Sequence, residues 1–383
     1  MEEAALENLD FLEGLDAQRP TSFELIGLDE VRSHMPLKSF HGSYLKVPPQ
    51  PADQAEELVA AGDFGSYEIA FPEGGWDLND LDDFQLLSLD ELETLPKALL
   101  RHISSLCIAG DQVIGRDRFE ISEDWEHKDA NGNPSLLLRS FETGEETPLS
   151  PGVITDLDML SDLTGLRDLE LIAQPLETLD GIQNLTELNS LHAQFCPSLK
   201  DASAVFTLQS LCFLNLKGTQ IDSIRGIQNL SELCGIDISD TRVDDLTPLA
   251  DCDFSEACEE DGLSIGINNL DLDADDFAAL GTVKRISNTY FCNADPAVWI
   301  PALAHTEIYS FASGGDFDST ESLELFAADH PELRRLDMYN PEVKDLRCLL
   351  EFPALEHVNV QSNMTEAIES LDGLDYSFEL QVN

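Results

Sequence analysis

The sequence predicts an α/β repeat solenoid, in which short turns stack and each adds one strand to a shared sheet. Three observations predict it. Leu163, Leu185, Leu208 and Leu230 open similar units at spacings of 22, 23 and 22 residues, a period that marks stacked supersecondary units. Each unit holds an x-L-x-L-x piece that alternates with period 2, as a strand buried on one face does. Hydrophobic residues make up 42% of the chain, enough to bury a core and far too many for a disordered acidic tail.

Residues 1–87 match no repeat and read as a small α/β region or an N-terminal cap. A Pro-rich junction, Val47-Pro48-Pro49-Gln50-Pro51, divides them, and Ala52–Ala61 is a helix candidate. Residues 88–150 read as a first repeat-like unit with inserted hairpins. Ser88-Leu89-Asp90-Glu91 has capping-box spacing, so a helix is expected to run to Leu100, ahead of a strand at Ser105-Leu106-Cys107-Ile108. Turn signals at Asp129-Ala130-Asn131-Gly132-Asn133-Pro134 and Glu142-Thr143-Gly144-Glu145 flank Leu136-Leu137-Leu138, which predicts hairpins across 116–150.

The solenoid proper is expected over 151–383. Its template, L-x-x-L-x-x-L-x-L, reads Leu163, Leu166, Leu169, Leu171, then Leu185, Leu188, Leu191 with Ala193. It continues as Leu208, Leu211, Leu214, Leu216, then Leu230, Leu233, Ile236, Ile238. Gly181-Ile182-Gln183-Asn184-Leu185 recurs unchanged as Gly226-Ile227-Gln228-Asn229-Leu230. Three residues past the last apolar position stand Gln174, Cys196, Thr219, Thr241 and Asn363. Short side chains there can turn inward and bond the backbone of the bend that leaves the strand. Apolar residues at i, i+3 and i+6 follow, as in Ile221, Ile224, Ile227 and Val243, Leu246, Leu249. That spacing suits a return limb of tight turns or 3₁₀ helix. One such turn cannot bury its own apolar edge, so the turns must stack.

Residues 251–332 keep the interval loosely, with Ile265, Ile286 and Ile308 as strand positions, and are read as about three longer, irregular turns. The register returns at Leu333, Leu336, Met338 and again at Leu355, Val358, Val360. Phe378, Leu380 and Val382 alternate as a closing strand should.

On these residues the chain resembles the leucine-rich-repeat family, in the 22-residue class shared by bacterial internalins and a regulatory subunit of protein phosphatase 1. The resemblance covers 163–250 and 333–383. It implies a curved right-handed solenoid with parallel strands on the concave face. It also implies a protein-binding scaffold, because no catalytic residues travel with the motif. Pro341 departs from it by taking the inward polar position of one repeat, and 251–332 fit it only loosely.

Chemistry is sparse. The eight cysteines lack C-x-x-C spacing and several lie in apolar patterns, so reduced, mostly buried thiols are expected, not disulfides or a metal cage. The histidines form neither H-E-x-x-H nor H-x₃-H pairs, and no phosphate loop, dinucleotide fingerprint or nucleophile elbow is present. Asp271-Leu272-Asp273-Ala274-Asp275 begins like a calcium loop, but Asp276 replaces the needed glycine and Thr282 the bidentate Glu. Pro134 and Ser140 spoil Asp129–Asn133 in the same way. These stretches, and the cluster Asp77, Asp80, Asp82 and Asp83, read as solvated acidic turns. No metal or cofactor is expected.

What remains is the outward row of the strands. If the leucines point inward, the neighbours that point out are Asp168, Glu170, Ser190, His192, Gln194, Phe213, Asn215, Lys217, Asp237 and Ser239. Later repeats add Arg335, Asp337, Tyr339, His357, Asn359 and Gln361. Aromatics beside Arg and amide groups have the composition of a protein-binding surface.

Acidic residues outnumber basic ones 75 to 21, a net charge of −54. The bias is spread, with 22 acidic and 5 basic residues in 1–100 and 53 and 16 in the rest, so it is not an acidic tail. Such a chain repels nucleic acid and anionic membranes. No run of 18 apolar residues is present and the N-terminus is acidic, so neither a membrane span nor a leader is expected. The expectation is a cytoplasmic, bacterial, monomeric and non-catalytic protein that binds another protein, a basic one being favoured by charge. Two other readings stand beside it. One is an acidic inhibitory partner of a basic toxin or nuclease, acting as an immunity protein or nucleic-acid mimic. The other is an enzyme with its site in residues 1–150.

Overall fold

The computed structural model describes residues 103–114, 119–128, 134–254, 262–292, 294–339 and 342–383, and five short strands before residue 103. The helices expected at Ala52–Ala61 and at 89–100, the turn at 129–133, Asp80, Asp82, Asp83, Cys258 and Pro341 lie outside these residues. The chain divides into an N-terminal unit, Met1–Ser198, and a C-terminal unit, Leu199–Asn383. Both are built from the same turn, a strand, a tight bend and a return limb, which makes the fold an α/β repeat solenoid.

In the N-terminal unit, β1 (Glu24–Ile26), β2 (Tyr44–Val47) and β3 (Glu68–Ala70) form a small antiparallel sheet. A second sheet begins with β4 (Trp76–Asp77), which runs parallel to β6 (Ile103–Ala109). β5 (Leu86–Ser88) joins it through β7 (Gln112–Ile114), which turns back antiparallel on β6. The expected hairpins are present as β8 (Phe119–Lys128), β9 (Pro134–Ser140) and β10 (Glu146–Pro148), an antiparallel sheet. They bring Leu138 against Cys107, Ala109, Ile114 and Ile172. The repeats follow with β11 (Asp168–Ile172) and β12 (Ser190–His192), parallel, with Leu106, Leu169 and Leu191 in one row.

The C-terminal unit continues with β13 (Phe213–Asn215), β14 (Gly235–Asp237), β15 (Leu263–Gly266) and β16 (Arg285–Phe291). After these come β17 (Glu307–Ile308), β18 (Ser310–Ser313), β19 (Arg335–Met338), β20 (His357–Val360) and β21 (Glu379–Val382). All pair in parallel. One register row runs Leu214, Ile236, Ile265, Thr289, Phe311, Leu336, Val358 and Leu380. Leu214, Ile236, Leu336 and Val358 are therefore equivalent and buried, as the template requires. Ile265 is not equivalent to Ile286 and Ile308. A bulge between Leu263 and Ser264 shifts the register, so Leu263, Ile286 and Ile308 share the preceding row.

The return limbs explain which repeats were regular. Short ones are single 3₁₀ turns, Ile182–Asn184, Ile227–Asn229 and Thr247–Asp251 among them, with Ile182, Ile227 and Leu249 facing the core. The duplicated pentapeptide makes the same turn twice. Gly181 and Gly226 adopt φ of 101° and 108°, which favour glycine, and each donates its N–H to the glutamine two residues on. Over 263–329 the limbs are instead α-helices: α1 (Ala274–Leu280), α2 (Pro296–Leu303) and α3 (Thr320–Asp329). A helix stands farther from the sheet than a 3₁₀ turn, and aromatic side chains fill the gap. Trp299 packs 5.1 Å from Phe291, 5.3 Å from Phe311 and 5.4 Å from Phe326, ring centre to ring centre. The leucine template fails there because the core is built of larger residues.

The inward polar position works as expected in four of five cases. Gln174 is fully buried, its amide donates to Gly110 O at 2.8 Å and Ile172 O at 2.9 Å, and its Oε1 accepts from Val153 N and Ile154 N. Cys196 donates to Leu171 O, Thr219 to Leu216 O at 2.8 Å and Thr241 to Ile238 O at 2.7 Å. Asn363 is a correction: it is exposed, and Met364 turns in beside the short α4 (Thr365–Glu369).

Candidate functional site

The outward row is placed by the alternation of each strand. In the N-terminal unit Asp168 lies opposite Ser190 and Glu170 opposite His192. Partial burial raises the Asp168 carboxyl, against the opposing pull of His192. Gln194 follows, half-buried.

In the C-terminal unit Phe213, Asn215 and Lys217 stand beside Gly235 and Asp237. Phe213 is 47% exposed, and its ring covers the backbone of Gly235, where an added Cβ would come within 2.8 Å of Cδ1. Asn215 accepts the N–H of Lys217 at 3.0 Å, and Asp237 accepts that of Ser239 at 2.9 Å. The two side chains thus hold the same bend in successive repeats, a role that Asn and Asp take at turns. Tyr290 reaches across Gly266 to donate its hydroxyl to Asp237, and burial beside that carboxylate raises the phenol. Ser239 is a correction: it is fully buried and accepts the N–H of Asn268 at 3.0 Å.

The later repeats bring Arg335, Asp337, Tyr339, His357 and Asn359 together. Arg335 Nε lies 3.0 Å from Asp337 Oδ2, and His357 Nδ1 lies 3.4 Å from Glu379. Tyr339 is 41% exposed. Asn359 differs from the outward expectation, because at 8% exposure it is covered and donates to Asp337. Gln361 is half-buried.

Asp316 and His330, both buried, went unread in the sequence, and Asp276 is a correction to the acidic-turn expectation. Asp316, fully buried, occupies the inward position of the β18 repeat, three residues past Ser313. It accepts from Ala294 N at 2.7 Å, Gly314 N at 3.0 Å and Ser313 Oγ at 3.0 Å, and burial pushes its carboxyl up to about 6. Asp276 is not a solvated turn residue. With Asp273 it forms the capping box of α1, and it accepts Leu246 N at 2.7 Å. His330 is fully buried with neither ring nitrogen hydrogen-bonded, and burial lowers its basicity. The nearest carboxylate, Glu332, is 3.5 Å from Nδ1 and already accepts Ile308 N at 2.7 Å.

Among the described cysteines, Cys107 and Cys196 are buried and Cys212, Cys234, Cys252, Cys292 and Cys348 are half-buried, all as free thiols. Fewer are fully buried than the apolar context suggested. Burial pushes Cys196 up to about 12 and Cys252 to about 11, which makes them poor nucleophiles. Among the described residues no group of three His, Cys, Asp or Glu side chains is placed to hold a metal, and no helix is long and apolar enough to cross a membrane.

No family model matches the chain, and no curated protein matches it. Among solved structures it is similar to an internalin from Listeria monocytogenes, at 18% identity over 61% of this chain and 67% of that one, TM-score 0.40. Internalin C2 from the same organism gives 22% identity over 58% of this chain and 79% of that one, TM-score 0.34. A leucine-rich-repeat protein from Leptospira interrogans gives 14% identity over 60% and 58%, TM-score 0.40. Likenesses this distant carry no argument about activity or partner. The fold stands on the chain's own register.

Proposed function

We propose that the chain is a non-catalytic, protein-binding leucine-rich-repeat protein of the 22-residue class, and that it binds through the outward face of its parallel sheet. The observation that supports it most is Phe213, a large aromatic side chain left 47% exposed on a sheet face whose other side is the core. Exposed aromatics flanked by Arg and amide groups are the usual anchors of protein interfaces. Tyr339, Arg335 and His357 extend the same chemistry in later repeats of the C-terminal unit. In the N-terminal unit Asp168, Glu170, His192 and Gln194 are the corresponding residues.

The net charge of −54 favours a basic partner, and an inhibitor of a basic toxin or nuclease is the second reading. Free thiols support a reducing compartment such as the cytoplasm. The test is surface-plasmon kinetics on a partner captured by pull-down. Phe213→Ala and Tyr339→Ala should speed dissociation, since desolvated anchors govern it. If they leave dissociation unchanged while a change within residues 1–87 abolishes binding, the face is not the site.

A further inference from the structure

One part of the C-terminal unit contradicts the charge of the rest. Lys284 and Arg285 enter β16, Glu307 and Tyr309 the next strands, and Arg334 and Arg335 enter β19. Backbone bonds fix these entries side by side: Glu307 N donates to Lys284 O at 2.9 Å, and Arg334 N to Tyr309 O at 2.8 Å. Neighbouring strands lie about 5 Å apart, so the four cations fall within about 10 Å across the sheet.

Two of them are neutralised in place. Arg285 pairs with Glu307 at 2.9 Å and Arg335 with Asp337 at 3.0 Å. Lys284 and Arg334 have no ion pair among the described residues, and both are exposed. Arg334 is held over the ring of Tyr309, 5.1 Å from its centre. Stacking fixes a guanidinium plane while leaving its N–H fork for in-plane acceptors such as a carboxylate. Glu356, whose N–H donates to Arg334 O at 2.8 Å just before β20, and His357 bound the island. It therefore carries two positive charges with no ion pair among the described residues, on a chain whose total is −54.

We propose that this island docks a carboxylate-bearing segment of a partner protein that is basic or neutral as a whole. The long-range field of the chain attracts such a partner and repels a polyanion. The island then rewards one orientation, with an acidic side chain of the partner on Lys284 and Arg334. This rests on the protein-binding reading above and adds to it the chemistry of one contact.

The probe is a pair of lysine-flanked peptides, identical except for a central Glu-Glu or Gln-Gln, titrated by fluorescence anisotropy into the full chain at low salt. The field alone makes the Gln-Gln peptide the better ligand, because it is more positive. The island should reverse that, so the Glu-Glu peptide binds about threefold tighter, the scale of two exposed charge pairs. Lys284→Gln with Arg334→Gln should restore the preference for Gln-Gln. Lys284→Gln alone, which breaks no described ion pair, should halve the original preference. The proposal is overturned if Gln-Gln binds as well or better on the unaltered chain, or if the Glu-Glu preference survives the double substitution. Failure of both peptides to bind at millimolar concentration overturns it too. The face reading is judged separately, on the Phe213→Ala kinetics.

Discussion

Replacing Gln174 by Leu should destabilise the N-terminal unit far more than replacing Thr219 by Val destabilises the C-terminal one. Both residues fill the same inward position and both are fully buried. They differ in what they hold. Thr219 makes one bond to a backbone carbonyl, at 2.8 Å. Gln174 holds three segments: the β6–β7 turn through Gly110 O, the strand end through Ile172 O, and the incoming chain through Val153 N and Ile154 N.

Magnitudes follow from the partners left behind. Leucine keeps the bulk and offers no polar atom. Ile172 O retains the N–H of Gly110 at 3.2 Å, and Val153 is exposed, so those losses are small. Ile154 N is buried with Gln174 as its acceptor, and Gly110 O loses its donor. Stranding two such groups costs about 1–3 kcal/mol each, and the other two bonds about 0.5 kcal/mol each, giving about 5 kcal/mol. Thr219→Val removes one bond and should cost about 1 kcal/mol. Urea denaturation followed by circular dichroism measures both, from midpoint and slope. Equal costs would refute the reasoning, since Gln174 would then be a filler and not a clamp.

Leu214→Asp should cost about 3–5 kcal/mol by placing an unpaired charge in the core, whereas Asn215→Asp should cost under about 1 kcal/mol, because Asp can still accept the Lys217 N–H and adds only repulsion from Asp237 on the next strand. Equal urea midpoints for the two variants would sink the repeat register. Gly266→Ala should cost about 1–3 kcal/mol, because its Cβ would fall 2.7 Å from the Tyr290 hydroxyl and 2.6 Å from Asp237 Oδ1. Its spectrophotometric tyrosine titration should also lose the most resistant phenol. His330 is held neutral by burial, so the unfolded chain takes up its proton first. Its contribution is complete above about pH 6.5 and is lost as pH falls below that. Asp316, pushed up to about 6, acts in the opposite sense, losing stability as pH rises from about 4 to 6. Comparing His330→Phe with the unaltered chain at pH 5 and pH 7.5 isolates the histidine: the variant should lose less on acidification, and identical losses would contradict it.

The repeats were legible because their leucines answer a packing requirement. Leu163, Leu166, Leu169 and Leu171 each fill a fixed place in a turn, and a change of spacing would expose them. The duplicated Gly-Ile-Gln-Asn-Leu was legible for a local reason, a glycine-specific backbone angle with a glutamine bond beside it. The long repeats hid themselves twice. Phe291, Phe311 and Trp299 stand where leucine was sought, and the bulge before Ser264 displaces the register by one row. Asp316 was hidden by chemistry, since an acid in so acidic a chain reads as surface. Its offset from Ser313, the same three residues that separate Thr219 from Leu216, was the available signal. The outward residues could be placed by alternation, but not their burial. Asn359 and Ser239 are covered by neighbours that a single strand's pattern does not contain.

The acidity and the fold are separable. The acids taken inside are tied to specific donors: Asp276 to the N–H groups of Leu246 and Asp273, Asp316 to those of Ala294 and Gly314 and to the Ser313 hydroxyl. The rest of the interior is apolar stacking and neutral clamps such as Gln174 and Thr219, which no surface carboxylate enters. Neutralising exposed acids should therefore leave the melt almost unchanged, or raise it by relieving self-repulsion, while slowing capture of a basic partner. Replacing Asp276 or Asp316 by alanine, which strips the acceptor from those donors, should instead lower the melt and leave capture unchanged. A protein arranged in this way can have its long-range field retuned without disturbing the strands that hold Phe213 and the cationic island. Attraction and orientation are then set by different residues, and each can change without the other.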